Sequence, residues 1–207
     1  MKKTAKNYFI TFEGVEGSGK STQIKRAAAH LRRKGYAVEI LREPGSARIS
    51  EAIRGIILNK DFKEMKPQTE LLLYLAARAQ IVHEKILPAL KKGKVVICDR
   101  FEDSTLAYQG FGRDMDLKMI TEISQLAVRG KLQPNLTFLL DMDPKQGMKR
   151  GGRHDRMEKE SYAFHKKVQQ GFLTLARKNT KRYKVIDGRQ TIEDVANEIK
   201  GILDRAL

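Results

Sequence analysis

The sequence contains a single cysteine, five prolines and no apolar run long enough to cross a membrane. Because a disulfide needs two cysteines, Cys98 cannot form one within the chain, and we expect a small buried apolar residue in a reducing compartment. The basic segment MKKTAKNYFITFEG has only a few consecutive apolar residues, so no signal peptide is predicted. With no other targeting signal, the expected location is the cytoplasm, without membrane contact.

Internal repeats, low-complexity segments and linker-like runs are also lacking in the sequence. Its 207 residues, 41% hydrophobic and 32% charged, suit one compact globular domain, so a single domain is expected over residues 1–207. The net charge is +16, and the positive residues are spread along the whole chain. This distribution favours basic surfaces and polyanionic small substrates over a dedicated nucleic-acid surface.

Short β-branched runs recur along the chain, and helical patterns lie between and after them. The predicted strands cover residues 8–12, 36–41, 94–99, 136–141 and 183–187. The predicted helices cover residues 19–34, 50–58, 67–91, 117–129, 158–178 and 192–205. This alternation predicts an α/β fold, a doubly wound parallel sheet of about five strands with helices on both faces. Ligands bind such sheets at the carboxyl ends of the strands.

The first strand is followed by GVEGSGKS, which matches the phosphate-binding loop pattern G-x-x-x-x-G-K-[ST] between a strand and a helix. Glycines let backbone amides approach a phosphate, the helix N-terminus adds partial positive charge, and a lysine adds a full one. A serine hydroxyl at the last position suits Mg²⁺. The predicted ATP-binding residues are Gly14, Val15, Glu16, Gly17, Ser18, Gly19, Lys20, Ser21 and Thr22.

Charged residues also follow the second and third strands. Asp99 ends the run VVICD, where a carboxylate can hold a metal-bound water or orient the reacting groups. The arginine after it, Arg100, suits a second anion near the site, although the two residues could also form a surface pair. Arg42 and Glu43 end the second run in the same way.

Tyr74 and Arg78 are four residues apart in LLLYLAARAQ and therefore lie on one face of a helix. A ring and a guanidinium presented together can stack on a nucleobase and bond its edge. Taken alone, the tyrosine would be a core residue and the arginine a solvated charge. The neighbouring phosphate-binding motifs favour the base-binding interpretation.

Six motifs in order cover nearly the whole chain: FEGVEGSGKST, REPG, LLLYLAARAQ, CDRFEDSTLAYQG, LTFLLDMDP and DRME. On these motifs the sequence closely resembles the thymidylate kinase family. The resemblance implies a P-loop nucleoside monophosphate kinase-like fold that transfers the γ-phosphoryl group of ATP to dTMP with Mg²⁺. It also implies a homodimer that acts on small-molecule substrates and binds no nucleic acid.

The resemblance also assigns roles to individual residues. It implies that dTMP contacts Arg54, Tyr74, Arg78, Arg100, Ser104, Thr105, Tyr108 and Gln109. Within this set, Tyr74 would stack on thymine, Arg78 would bond a base carbonyl, and two arginines, Arg54 and Arg100, would clamp the phosphate. Glu16 would meet the sugar 3′-hydroxyl, and the implied metal site is Ser21 with Asp99.

A mobile lid is expected at about residues 145–158, where KRGGRHDRMEKE carries three arginines. The phosphate-binding loop has no arginine of its own, and phosphoryl transfer needs positive charge on the moving group, so the lid is expected to supply it. Arg153 is the first choice and Arg150 the second, whereas Arg156 could pair with Glu158. The predicted catalytic residues are Lys20, Glu16, Asp99, Arg153 and Arg150.

Two alternative functions stay open on the sequence. A kinase of another nucleoside monophosphate would share the phosphate-binding loop but accept dUMP, UMP or CMP. A nucleic-acid-associated P-loop ATPase would fit the charge of +16 and predicts salt-sensitive hydrolysis stimulated by DNA or RNA. The sequence shows no array of aromatic residues on a basic face, which disfavours the second alternative.

Overall fold

The computed structural model describes residues 7–128, 130, 132–150 and 155–207. The strands of this part of the chain are β1 Phe9–Glu13, β2 Val38–Arg42, β3 Val95–Asp99, β4 Leu136–Asp141 and β5 Tyr183–Asp187. They form one parallel sheet in the order β2-β3-β1-β4-β5. The predicted doubly wound α/β fold with five strands is confirmed.

Helices connect the strands and cover both faces of the sheet. They are α1 Lys20–Arg33, α2 Arg48–Leu58, α3 Pro67–Ile81, α4 Leu87–Lys91, α5 Glu102–Thr105, α6 Leu117–Ala127, α7 Pro144–Arg150, α8 Tyr162–Lys178 and α9 Ile192–Ala206. A π-helical turn, Val82–Ile86, joins α3 to α4, and a second, Leu106–Gly112, continues α5. The single helix predicted over residues 67–91 is therefore three consecutive helical segments.

Sequence patterns missed two helical segments and misplaced one helix end. The segment Glu102–Gly112 and helix α7 are short, and neither shows a long apolar period. Helix α8 begins at Tyr162 and not near Glu158, because the hydroxyl of Ser161 accepts the Phe164 N–H and caps the helix there.

The core lies on both faces of the sheet, because alternate residues of each central strand point in opposite directions. Ile10 and Phe12 of β1 pack on the face covered by α1 and α9. Phe9 of β1 and Cys98 of β3 pack on the other face, against α3 and α4. Cys98 is fully buried, as expected for a small apolar residue.

The strand register aligns the carboxyl ends of β1, β2 and β3. Phe12 of β1 pairs with Asp99 of β3, and Asp99 also pairs with Arg42 of β2. Because the three strands are parallel and end at the same edge, the loops that follow them meet there. Among the described residues, no helix is both long and apolar enough to span a bilayer.

Candidate active site

The phosphate-binding loop joins β1 to α1, and three of its glycines adopt positive φ angles. The values are 135° at Gly14, 70° at Gly17 and 93° at Gly19. A Cβ on Gly14 would lie 2.5 Å from the carbonyl oxygen of Leu140 on the neighbouring strand β4. Glycine is therefore required both by the backbone conformation and by the close approach of β4.

Lys20, the first residue of α1, folds back over this loop. Its Nζ donates to the carbonyl oxygens of Gly14, at 3.0 Å, and Val15, at 2.8 Å. Only 7% of Lys20 is exposed, and burial together with the charge of Arg100 lowers the pKa of the lysine to about 8. The cation is thus held inside the loop, where it can contact a bound phosphate.

Ser21 and Asp99 lie side by side next to the loop, because the serine Oγ donates to Asp99 Oδ2 at 3.3 Å. A hydroxyl and a carboxylate oxygen are the hard ligands that Mg²⁺ prefers, so the predicted metal site fits this geometry. The described residues hold no cluster of three or more metal-binding side chains. Mg²⁺ usually keeps several waters and substrate phosphate oxygens among its ligands.

Arg100 is the central cation of the site. It follows β3 with a φ angle of 68°, which is unusual for a residue other than glycine. Its Nη2 lies 2.9 Å from Glu16 Oε1, its Nη1 donates to Ser104 Oγ at 3.1 Å, and its guanidinium stands 5.0 Å from the ring centroid of Tyr108. These contacts fix the guanidinium at the edge of the cavity.

Glu16 lies against Arg100. Its Oε1 also accepts the Tyr108 hydroxyl at 2.6 Å, and its Oε2 lies 3.5 Å from Nδ1 of the buried His165. Burial alone would raise the pKa of Glu16, but the charges of Arg100 and Lys20 outweigh it and lower the pKa. The acidic residue of the loop is thus ionised beside two cations. His165, which comes from α8, was not predicted, because no sequence pattern connects it to the loop.

Arg78 is held in a fixed orientation by two side chains. Its Nε donates to Glu43 Oε2 at 2.8 Å and its Nη2 to Thr105 Oγ1 at 2.8 Å, and only 2% of Arg78 is exposed. Nη1 has no hydrogen-bond partner among the described residues. A buried donor without a partner on the wall of a cavity is suited to a ligand oxygen.

A cavity of about 270 Å³ connects these groups. It is lined by all eight residues predicted to contact dTMP, namely Arg54, Tyr74, Arg78, Arg100, Ser104, Thr105, Tyr108 and Gln109, and by Glu16, Gly17, Lys20, Ser21 and Asp99. Sequence reasoning did not assign Leu58, Phe101, Asp155 or Met157, which also line it. Most of these are apolar residues or lie in loops, and their types alone give no functional signal.

The predicted lid arginines are not brought to this cavity in the described part of the chain. Arg150 is the exposed last residue of α7 and does not line the cavity. Arg153 lies outside the described residues. Among the pairs between described residues, Arg156 lies against Glu70 and not against Glu158, with Nη2 2.6 Å from Glu70 Oε2. Its backbone N–H bonds to the Leu58 carbonyl, and its Nε donates to the Ile57 carbonyl at 2.9 Å.

Glu70 of α3 is the centre of a second buried cluster, next to the cavity. Its carboxylate accepts Gln109 Nε2 at 2.9 Å and Arg113 Nε at 3.1 Å, in addition to the contact with Arg156. Burial alone would raise the pKa of Glu70, but hydrogen bonds from Arg113 and Gln109 and the charge of Arg156 lower it below its ordinary value. One carboxylate therefore ties α3 to the turn that carries Gln109.

Replacing Glu70 with glutamine is expected to lower the free energy of unfolding at pH 7 by about 3 kcal/mol, because Arg156 loses its buried counter-charge and Arg113 keeps only the more exposed Glu160. The folded-state pKa is depressed, so the stabilisation is present above the ordinary carboxylate pKa of about 4.3 and is lost as the pH falls below it. Denaturant unfolding should therefore show a difference between wild type and E70Q that shrinks from pH 7 to pH 3. The exposed Glu64→Gln is the matched control, and an equal effect of both variants would contradict this account.

Helix α7 approaches the phosphate-binding loop through a pair of glycines. A Cβ on Gly147 would collide with the carbonyl oxygen of Glu16, and a Cβ on Gly17 would collide with the carbonyl oxygen of Gly147. The two backbones are therefore in direct contact. This contact places the helix that precedes residues 151–154 against the loop that is predicted to hold ATP.

Replacing Gly147 with alanine is expected to destabilise the protein by about 1–3 kcal/mol, because the new methyl group overpacks this contact. It should also raise the KM for ATP, since the loop must move away from α7. Thermal unfolding and steady-state kinetics check both effects. Gly201→Ala is the control, because a Cβ there meets only the end of the Arg205 side chain, at 3.6 Å, and alanine favours a helix. A G147A variant as active and stable as G201A would contradict the role of the contact.

Known proteins are similar to this chain in sequence and in fold. The thymidylate kinase family model matches residues 12–199. A thymidylate kinase of Geobacter sulfurreducens is 49% identical over 205 residues, which are 95% of this chain and 96% of the relative. A thymidylate kinase of Thermoanaerobacter sp. strain X514 is 42% identical over 204 residues, covering 98% of this chain and 100% of the relative.

A solved structure is similar over nearly the whole chain. The crystal structure of thymidylate kinase from Ehrlichia chaffeensis superimposes with a TM-score of 0.78 and 34% sequence identity. The match covers 95% of this chain and 98% of the other.

Proposed function

This chain belongs to the thymidylate kinase family, and we propose that its cavity holds dTMP beside an ATP molecule bound by the phosphate-binding loop. The reaction is transfer of the γ-phosphoryl group of ATP to dTMP, which yields ADP and dTDP and supplies nucleotide biosynthesis. One observation carries the proposed arrangement. The same cavity is lined by Lys20 and Ser21 of the loop and by all eight residues predicted to contact dTMP.

The walls of the cavity divide into a base end and a phosphate end. At the base end, the half-buried ring of Tyr74 would stack on thymine, and the unpaired Nη1 of Arg78 would donate to a base carbonyl. At the phosphate end, Arg100 would hold the acceptor phosphate with Arg54, whose Nη1 donates to the Pro44 carbonyl at 2.9 Å. Glu16, whose Oε1 lies 2.9 Å from Arg100 Nη2, would accept the sugar 3′-hydroxyl.

The proposed reaction depends on position and charge and needs no covalent intermediate. Lys20 and the loop amides bind the phosphates of ATP, and Arg100 holds the attacking phosphate in line with them. Mg²⁺, held by Ser21 and Asp99, would neutralise charge on the phosphate oxygens. Further positive charge would come from Arg153, or from Arg150, in a lid that includes residues 145–158.

A homodimer is proposed as the assembled form. Three exposed apolar side chains support it, Ile49 and Ile56 on α2 and Leu72 on α3, because these two helices pack together and present their apolar residues to solvent. Leu72→Glu should convert the dimer into a monomer in sedimentation experiments, whereas the exposed Leu126→Glu on α6 should not. A cytoplasmic location is also proposed, which fits the single, unpaired Cys98.

The decisive experiment measures ADP formation with ATP and Mg²⁺ while dTMP, dUMP, UMP and CMP are presented one at a time. Strong turnover with dTMP alone would support both ends of the cavity as assigned. Turnover with another monophosphate would keep the kinase chemistry but overturn the base-end assignment. Hydrolysis that needs no acceptor and rises with DNA or RNA would favour the nucleic-acid-associated ATPase.

Replacing Tyr74 with alanine is expected to raise the KM for dTMP about tenfold, because a stacked ring contributes roughly 1–3 kcal/mol per base. The KM for ATP should change less than twofold, since the ring lies on the acceptor side of the cavity. Tyr74→Phe keeps the ring and serves as the control. Equal loss of affinity for both substrates in Y74A would argue that the ring only supports the core.

A further inference from the structure

The last residue of β1, Glu13, is a fully buried carboxyl group for which the proposed reaction has no use. Its Oε1 accepts the backbone N–H of Phe101 at 2.8 Å. Its Oε2 lies 2.6 Å from the hydroxyl oxygen of Ser104. A buried carboxyl is costly unless it is hydrogen-bonded, and here both oxygens contact the segment that follows β3.

Both contacts of Glu13 bear on Arg100. Phe101 is the next residue after Arg100, so the bond to its N–H fixes the peptide group that follows Arg100. Arg100 itself has the unusual φ angle of 68°. Ser104 Oγ also accepts Nη1 of Arg100 at 3.1 Å, so the hydroxyl links the carboxyl group to the guanidinium. One side chain thereby restrains the main chain and the side chain of the arginine.

The helix that carries Ser104 is fixed independently. Asp103 of α5 forms a two-point ion pair with Arg182, at 2.6 Å and 2.7 Å, and Arg182 Nη1 also donates to Thr137 Oγ1 of β4. The hydroxyl of Ser104 is therefore presented to Glu13 from a firmly held helix. These contacts restrain movement of α5 relative to β4.

We propose that Glu13 is a positioning residue for acceptor binding: it sets the orientation of Arg100, and thereby the affinity for the phosphate of dTMP, through Phe101 N–H and the Ser104 hydroxyl. This inference rests on the proposed role of Arg100 as a clamp for that phosphate. Glu13 itself contacts neither substrate in this arrangement, so it is not a catalytic residue.

Either protonation state of the carboxyl group can make these two contacts. Burial, followed by the charge of Asp103, raises the pKa of Glu13 to about 8. The ionised group accepts from both partners, whereas the protonated group accepts from Phe101 and donates its proton to Ser104 Oγ. A glutamine offers the same carbonyl oxygen and an N–H donor in place of the acid proton. Glutamine should therefore preserve the positioning, and an apolar side chain of equal length should abolish it.

The test compares Glu13→Met, Glu13→Gln and Ser104→Ala with the wild type in steady-state kinetics. We expect E13M to raise the KM for dTMP about tenfold, because the two hydrogen bonds that position Arg100 are lost, and to leave the KM for ATP within about twofold of wild type. E13Q should have a KM for dTMP within about threefold of the wild-type value, because glutamine keeps both contacts. S104A should raise the KM for dTMP by an intermediate factor.

Thr11→Val is the structural control, because Thr11 is fully buried on the same strand and its hydroxyl bonds Thr137 Oγ1 at 2.9 Å. T11V should lower the melting temperature without separating the two KM values. A folded E13M with an unchanged KM for dTMP, or with both KM values raised equally, would overturn the inference. If E13M does not fold, Glu13→Ala replaces it as the deciding variant, because Ser104 is itself assigned to the dTMP cavity. A folded E13A with an unchanged KM for dTMP overturns the inference.

Arg100→Lys in the same assay separates this inference from the proposed function. A raised KM for dTMP in R100K together with an unaffected E13M would reject only the positioning role of Glu13. An unchanged KM for dTMP in R100K would reject the phosphate clamp on which that role rests. Failure of the wild type to phosphorylate dTMP would reject the function itself.

Discussion

Replacing Lys20 with methionine is expected to lower kcat for dTDP formation about a thousandfold, the upper range for removal of one preorganised charge-stabilising donor. The ammonium group lies within the phosphate-binding loop, 2.8 Å from the carbonyl oxygen of Val15. It should therefore stabilise the negative charge on the γ-phosphoryl group during transfer more than it stabilises bound ATP. Methionine is an unbranched apolar side chain only one atom shorter than lysine, and loss of a buried charge should leave the melting temperature within a few degrees.

The control for this variant is Lys25→Met, which lies on the same helix and is exposed. Rapid-quench measurement of a single turnover separates the chemical step from product release. A K20M variant that keeps wild-type turnover would contradict the role assigned to the loop. Equal losses in K20M and K25M would indicate a general effect of charge on the protein.

Replacing Arg78 with methionine is expected to have two large effects. It should lower the free energy of unfolding by about 3 kcal/mol, because Glu43, whose side chain is 5% exposed, is left without its partner. It should also raise the KM for dTMP by about a hundredfold, since a site built to hydrogen-bond a substrate group loses its donor. The burial that raises the pKa of Glu43 would then favour its neutral form.

The double variant Arg78→Met/Glu43→Leu distinguishes these two effects. Removing both members of a buried pair is often nearly neutral for stability, so denaturant unfolding should recover most of the loss. The KM for dTMP should stay high, because the donor to the base is still absent. Recovery of dTMP binding in the double variant would show that Arg78 acts only by neutralising Glu43, and it would contradict the base-binding role.

The sequence was most informative where function depends on local pattern. The phosphate-binding loop needs glycines at particular spacings between a strand and a helix, so GVEGSGKS alone predicted its place and its glycine requirement. Asp99 and Arg100 could be placed at a strand end because the apolar run before them is short and clear. The parallel orientation of the strands followed from their alternation with helices.

The sequence was least informative where two distant residues had to be paired. Glu13 meets Ser104 across 91 positions, and Arg100 meets Glu16 across 84. Arg156 was given a neighbour in sequence, Glu158, but its partner in the fold is Glu70. Local charge spacing cannot reveal such a partner, because any of several carboxylates lies within reach of a long arginine side chain.

By itself, the sequence determined the fold class and the phosphate-binding loop, because these depend on hydrophobic periodicity and on residue order along the chain. The family, and with it the residues proposed to meet dTMP, came from the resemblance that its six motifs carry. Only the tertiary structure decided which carboxylate neutralises which arginine, that α7 touches the loop through Gly147, and that Glu13 contacts Phe101 and Ser104. Those choices depend on how parallel strands are placed side by side and on the burial that follows. Periods of two and 3.6 residues carry no information about contacts between residues tens of positions apart.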